Sequence, residues 1–165
     1  MRLFAIAAAL AATATLGLVP ATAAHEFEKN GVVVEHPWAR PTIPNRPTAA
    51  YFVLSNTGAA TDTLIEARAP AFDRVELHIT RSESGVMNMA RVESVMLEPG
   101  DEVAFEPGSY HVMLFDAAEP LAEGDRFPMT LVFEQAGEIE VEVVVERQGS
   151  GGGSGSMEMD HGDGS

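Results

Sequence analysis

The 165-residue sequence contains no cysteine. That absence excludes disulfides, thiol catalysis, thiol-based metal transfer and any metal site that needs a thiolate, so the core alone must hold the fold. Positive charge is scarce: ten Lys and Arg stand against 25 Asp and Glu, a formal net charge of −15. A chain this acidic does not bind nucleic acid by neutralising phosphates. Apolar spacing for an amphipathic helix of three turns is missing, and at most a short helical turn near 117–121 is expected. There is no internal repeat, no Ser/His nucleophile elbow and no phosphate-binding glycine loop, which makes an enzyme the least favoured class.

One long apolar run exists, and it lies at the start. Arg2 is followed by an almost wholly apolar stretch, 3–18, then Pro20 and the small-residue site Ala21-Thr22-Ala23. This pattern reads as an export signal over 1–24, cleaved after Ala23 or Ala24. A membrane anchor is the competing reading, but the run is short for a span and a cleavage-type site follows it. Removal takes away Arg2 and no acid, so −15 becomes −16. No second run is long enough to span a bilayer, so no transmembrane span is expected in the mature protein.

What is present in abundance is alternation with period two. Segments 32–35, 50–55, 63–67, 74–80, 86–95, 102–106, 111–115, 126–134 and 138–146 read as strands, with Gly- and Pro-containing turns between them. The last, Glu-Ile-Glu-Val-Glu-Val-Val-Val-Glu, alternates acid with apolar, so one face is wet and the other buried. Seven to nine short strands imply an all-β Greek-key sandwich or barrel, a single domain over 25–147. Residues 148–165 form a Gly/Ser linker and a polar Met/His tail that cannot bury enough apolar surface to order itself.

Four residues carry the chemistry. His78 is followed after ten residues by Met89, Met89 after twenty-one by His111, and His111 after one by Met113. Two imidazoles and two thioethers in one chain suggest one metal site. Thioether sulfur is soft and neutral, suits Cu(I) and is a poor donor for Zn(II), Mg(II) or Ca(II). By strand parity His78 lies opposite Val75, Leu77 and Ile79, while His111 and Met113 lie opposite Tyr110, Val112 and Leu114. The donors are therefore expected at the surface or the mouth of the sandwich, as a shallow port that favours exchange. Met87 shares a face with Met89, so parity leaves it as an alternate ligand. Met96 and Met129 read as core filler. His36, before Pro37, is an ambiguous ligand candidate expected to end a strand, and Trp38 is expected to pack on the domain.

The ends hold a second candidate site, for Cu(II). His25 lies at or next to the expected mature N-terminus, where imidazole and amine can chelate together. Met157, Met159, Asp160, His161 and Asp163 give the tail mixed donors. An eight-residue linker spans about 16 Å, enough to bring the tail to the core site.

The segments Glu76-Leu77-His78, Gly85-Val86-Met87-Asn88-Met89, Glu98-Pro99-Gly100 and Pro107-Gly108-Ser109-Tyr110-His111-Val112-Met113-Leu114 resemble the periplasmic copper chaperones called PCuAC. His36-Pro37-Trp38-Ala39-Arg40 is similar to that family's N-terminal segment. The resemblance covers about residues 30–146. It implies a cupredoxin-like β-sandwich binding one Cu(I) through His78, Met89, His111 and Met113, and it favours Met89 over Met87. It also implies a Gram-negative-type periplasm and delivery towards the copper A centre in cytochrome c oxidase subunit II, alongside Sco-type copper proteins. Two other readings compete with a carrier. One is a copper sequestration or tolerance protein without an obligatory acceptor. The other is an exported β-sandwich interaction domain whose His and Met residues are incidental.

Overall fold

The computed structural model describes residues 26–147. Eleven strands run β1 (Glu26–Lys29), β2 (Val32–Ala39), β3 (Thr48–Asn56), β4 (Asp62–Arg68), β5 (Phe72–Glu83), β6 (Val86–Arg91), β7 (Val95–Leu97), β8 (Glu102–Phe105), β9 (Tyr110–Ala117), β10 (Arg126–Phe133) and β11 (Gly137–Val145). No helix occurs among the described residues, and 118–121 is irregular. The expected signal, His25 and the tail donors Met157, Met159, Asp160, His161 and Asp163 lie outside the described residues.

The strands form one continuous sheet in the order β6-β5-β9-β8-β3-β2-β11-β10-β4-β7, with β1 beside β2. β3 is where the sheet divides. Its first half pairs with β9, Ala49 opposite Met113, while its second half pairs with β8, Phe52 opposite Phe105. The β6-β5-β9 part thus diverges from the rest at β3. Between the layers lie Leu54, Leu64, Leu114, Met129, Leu131, Val141 and Val143, all essentially inaccessible to solvent. Phe52 stacks on Phe105 at 4.4 Å. Each such side chain contributes about 1.5–3 kcal/mol by leaving water. In β11 the alternation expected from sequence is observed: Ile139, Val141, Val143 and Val145 face in, and Glu138, Glu140 and Glu142 face out.

Turn chemistry sets the hairpins. Asn30 and Gly31 both have positive φ, 51° and 84°, as a tight two-residue hairpin turn requires. A Cβ on Gly31 would meet the Gly58 backbone at 2.8 Å, so glycine is needed for close approach as well. Ser84 and Gly85 repeat the conformation between β5 and β6, with φ of 53° and 81°. Asp62, only 4% exposed, holds the β10–β11 turn. Its carboxylate accepts from the backbone N–H of Thr63 (2.7 Å), Gln135 (2.9 Å) and Ala136 (2.8 Å).

Four sequence expectations need correction. The run 86–95 is two strands, β6 and β7, that pair with different partners, β5 and β4. β1 was not expected, although Asn30-Gly31 is a strong hairpin signal. β2 does not end at His36-Pro37. His36 takes φ 48°, the register shifts between Glu35 and Trp38, and pairing resumes to Ala39. Such a bulge admits proline because no ladder bond is asked of it. Met96 is not core: Val95 and Leu97 face in, and Met96 is 62% exposed. Met129 is core, as expected. Trp38 packs on Tyr51 with ring centroids 4.6 Å apart.

Candidate metal centre

β5 and β9 are adjacent and antiparallel, and their register sets His78 directly opposite His111 and Glu76 opposite Met113. The β5–β6 hairpin places Met89 opposite Thr80. Thr80 is two residues from His78, about 7 Å along the strand and on the same face. Glu76, His78, His111, Met113 and Met89 therefore share one face of a three-stranded patch. Met87 shares it too, but opposite Ser82, about 13 Å along β5 from His78. Met89, His111 and Met113 line one cavity of about 400 Å³, whose wall also includes Arg40, Ile43, Arg46, Thr48 and Tyr51; neither His78 nor Met87 lines it. His36 lies elsewhere, its Nε2 3.8 Å from a Glu146 oxygen.

The donors are graded in depth. His111 is 4% exposed, whereas Met89 is 56% exposed. His78 and Met113 fall between. The expectation of donors at the surface or the mouth of the sandwich is thus corrected for His111, which is buried. Alternation correctly put it on the face away from the core. It did not reveal that the segment 40–47 would wall a cavity on that face. That segment is tied down by Arg40 N–H to Ala49 O (3.1 Å), Thr48 Oγ1 to Arg40 O (2.9 Å) and Thr42 N–H to Leu121 O (3.0 Å).

The hydrogen bonds of the two histidines fix their tautomers. His111 Nδ1 donates to the Ser109 carbonyl at 3.0 Å, leaving the lone pair on Nε2. His78 Nε2 donates to Glu76 Oε2 at 2.8 Å, leaving the lone pair on Nδ1. His78 Nδ1 is buried and has no hydrogen-bond partner. A buried acceptor left unpaired costs free energy unless something binds it. The His78 and His111 ring centroids are 5.9 Å apart. Two imidazoles that each hold one ion at about 2 Å have centroids up to roughly 6 Å apart, so the pair can share an ion after little movement.

Electrostatics agree with a neutral nitrogen donor at His111. Burial pushes the His111 pKa below the usual histidine value, and nearby His78 and Arg40 push the same way against the Ser109 hydrogen bond. The His78 hydrogen bond, then the Arg74 one, hold the Glu76 carboxyl below the usual carboxylate range, so it is ionised. Arg74 donates to Glu76 Oε1 at 2.8 Å and lies over the Phe115 ring at 3.7 Å. Arg91 is 3.8 Å from the same oxygen. Sequence reading missed Glu76 as a partner of His78, although the two share strand parity. Among the described residues, no group of three or more His, Asp and Glu could hold a metal ion.

The chain matches the LpqE-like family, described as "Putative lipoprotein LpqE-like", over residues 32–145. The protein RP573 of Rickettsia prowazekii (strain Madrid E) is 36% identical over 122 residues, 71% of this chain and 64% of that protein. The chain spans 64% of the length of each of the two curated relatives it matches. The copper-bound PCuAC domain from PmoF2 is similar in structure, with a TM-score of 0.64, 31% identity and coverage of 74% of this chain and 97% of that one. Apo-DR1885 from Deinococcus radiodurans, 23% identical, has a TM-score of 0.56 over 88% of this chain and 99% of its own, and supports the fold alone. The all-β expectation therefore holds as a cupredoxin-like sandwich of the PCuAC-domain type. On the family match over most of its length, this chain belongs to the LpqE-like family.

Proposed function

We propose that this protein is an exported copper carrier. It holds one Cu(I) through His78 Nδ1, His111 Nε2 and the sulfurs of Met89 and Met113, and passes it to an acceptor by ligand exchange. The observation that carries this reading is the buried, unpartnered His78 Nδ1 beside His111, on the face that also bears both thioethers. Neutral soft donors favour Cu(I) over harder or more highly charged ions. The copper-bound state of the PmoF2 PCuAC domain supports copper as the cargo. Exposure of Met89 supports exchange over permanent storage, because an incoming ligand can displace the outermost donor first.

The acceptor we propose is the copper A centre of cytochrome c oxidase subunit II, with Sco-type proteins acting in the same delivery. The domain organisation belongs to the same reading: a signal over 1–24, a binding domain over 25–147 and a tail over 148–165, in a periplasm. The tail and His25 supply the proposed second site for Cu(II). X-ray absorption of the Cu(I)-loaded mature protein should show two nitrogen and two sulfur neighbours. Mixing it with the apo copper A domain should move copper to that domain. A sulfur-free copper shell would end the ligand assignment. Copper retained in the presence of the apo domain would favour sequestration over delivery.

A further inference from the structure

Charge is segregated in this molecule, and the segregation follows the candidate metal port. On the face of β5, β6 and β9 that bears the donors, the charged residues other than histidine are Arg74, Glu76 and Arg91. The segment 40–47 that walls the cavity adds Arg40 and Arg46 and no acid. Four arginines and one carboxylate thus lie on the port face and its wall, in a chain whose formal net charge is −15, with Asp116 in the adjoining hollow beside Ile43 and Arg46, and Glu66 and Glu93 in the one beside Arg91. The outward face of β11 shows the contrast, with Glu138, Glu140 and Glu142 along one strand. Between the arginines the port exposes apolar surface: Ile43 is 58% exposed, Met87 60% and Met89 56%.

From this juxtaposition we infer that the port face is a docking surface for an acidic protein partner, the one that exchanges copper with the site. The inference rests on the proposed carrier function and adds the chemistry of the partner and the face it uses. An apolar centre within a charged rim is the usual anatomy of a transient interface. Arg46 is exposed, and the Arg74 and Arg91 side chains are 54% and 68% exposed, so they are available to carboxylates of a partner. Glu76 is largely covered, and it is held by His78 and Arg74. It does not present a repelling charge at the rim. The acidic remainder of the surface repels the same partner, so approach is oriented towards the port. Met87 then has a role that coordination does not give it, as apolar surface at the interface.

Two arms test this. In the first, the isotope-labelled apo protein is titrated with poly-glutamate and followed by NMR. Shifts confined to β5, β6 and the segment 40–47, abolished by salt, are expected. Shifts elsewhere, or none, overturn the docking surface whatever the copper chemistry is. In the second, Cu(I) transfer to the apo copper A domain is timed for the wild type and for Arg46→Glu/Arg91→Glu. Each rate is divided by transfer from the same protein to an uncharged chelator. The ratio should fall about tenfold in the variant at low salt, and the difference should close at high salt. An unchanged ratio overturns the proposal. If the wild type gives copper to the chelator but not to the copper A domain, the proposed acceptor fails, and the poly-glutamate result still decides the docking surface. Salt-sensitive self-association through this face in sedimentation would assign it to a second copy and overturn the acidic partner.

Discussion

Replacing Glu76 with alanine should weaken Cu(I) binding on the order of 10–100-fold, the range over which loss of a ligand's hydrogen-bond partner is felt at a metal. Two effects of the structure add in that direction. The carboxylate accepts the His78 Nε2 proton at 2.8 Å, which fixes the tautomer with Nδ1 free and makes that nitrogen a better donor. It also sets an anion beside a cluster whose four proposed ligands are neutral. Removing it leaves Arg74 and Arg91 facing the bound cation without compensation. Glu76→Gln keeps an oxygen that can accept from Nε2 but loses the charge, so it should sit at the lower end of the range. Competition against a chromophoric Cu(I) chelator reads the affinity, and urea unfolding of the apo proteins reads any structural loss separately. Glu76→Ala with wild-type affinity would refute the argument. So would a loss of affinity matched by an equal loss of apo stability.

Other consequences are less central and equally direct. Asp62→Ala leaves three backbone N–H groups without their acceptor and should cost about 2–4 kcal/mol, measured as a lower urea midpoint with copper affinity retained. Met129→Ala empties a site in the core and should cost about 2–5 kcal/mol. Met96→Ala should stay within about 0.5 kcal/mol, because that side chain is exposed; the same unfolding curves compare the two. His111 has a lower pKa folded than unfolded, so the unfolded chain binds more protons near that range. Its contribution to stability is present above the unfolded pKa and is lost as pH falls through the folded one. The apo urea midpoint should therefore drop on going from neutral pH into the acid side of the histidine range. His111→Gln should flatten that part of the curve.

Much of this was legible in the sequence because strands write their burial at period two. The donors' common face follows from parity in Val75-Glu76-Leu77-His78 and Tyr110-His111-Val112-Met113, and the structure keeps it. Parity also holds the answer for Met96: it alternates with the inward-facing Val95 and Leu97, and so faces out although its segment is apolar. The preference for Met89 over Met87 came from family likeness. The register now gives a physical reason for it, since a two-residue step along β5 separates Met89 from His78 and a four-residue step separates Met87. Depth was not legible. The segment 40–47 walls the cavity that His111 lines, and no local pattern encodes that meeting of distant parts of the chain. The bulge at His36 was hidden for a related reason: Pro37 signals the end of pairing, and only the neighbouring strands show that pairing resumes.

The central claim is that four side chains on one face of β5, β6 and β9 hold a single Cu(I). A Cu(I) competition titration of the mature protein against a chromophoric chelator tests it most directly, with His78→Ala, Met89→Ala, His111→Ala, Met113→Ala and Met87→Ala measured alongside. One tight equivalent is expected in the wild type, with at least about tenfold weaker binding in each of the first four variants and near wild-type binding in Met87→Ala. Wild-type affinity in Met113→Ala or His78→Ala, or no binding above the chelator's background in the parent protein, would contradict it.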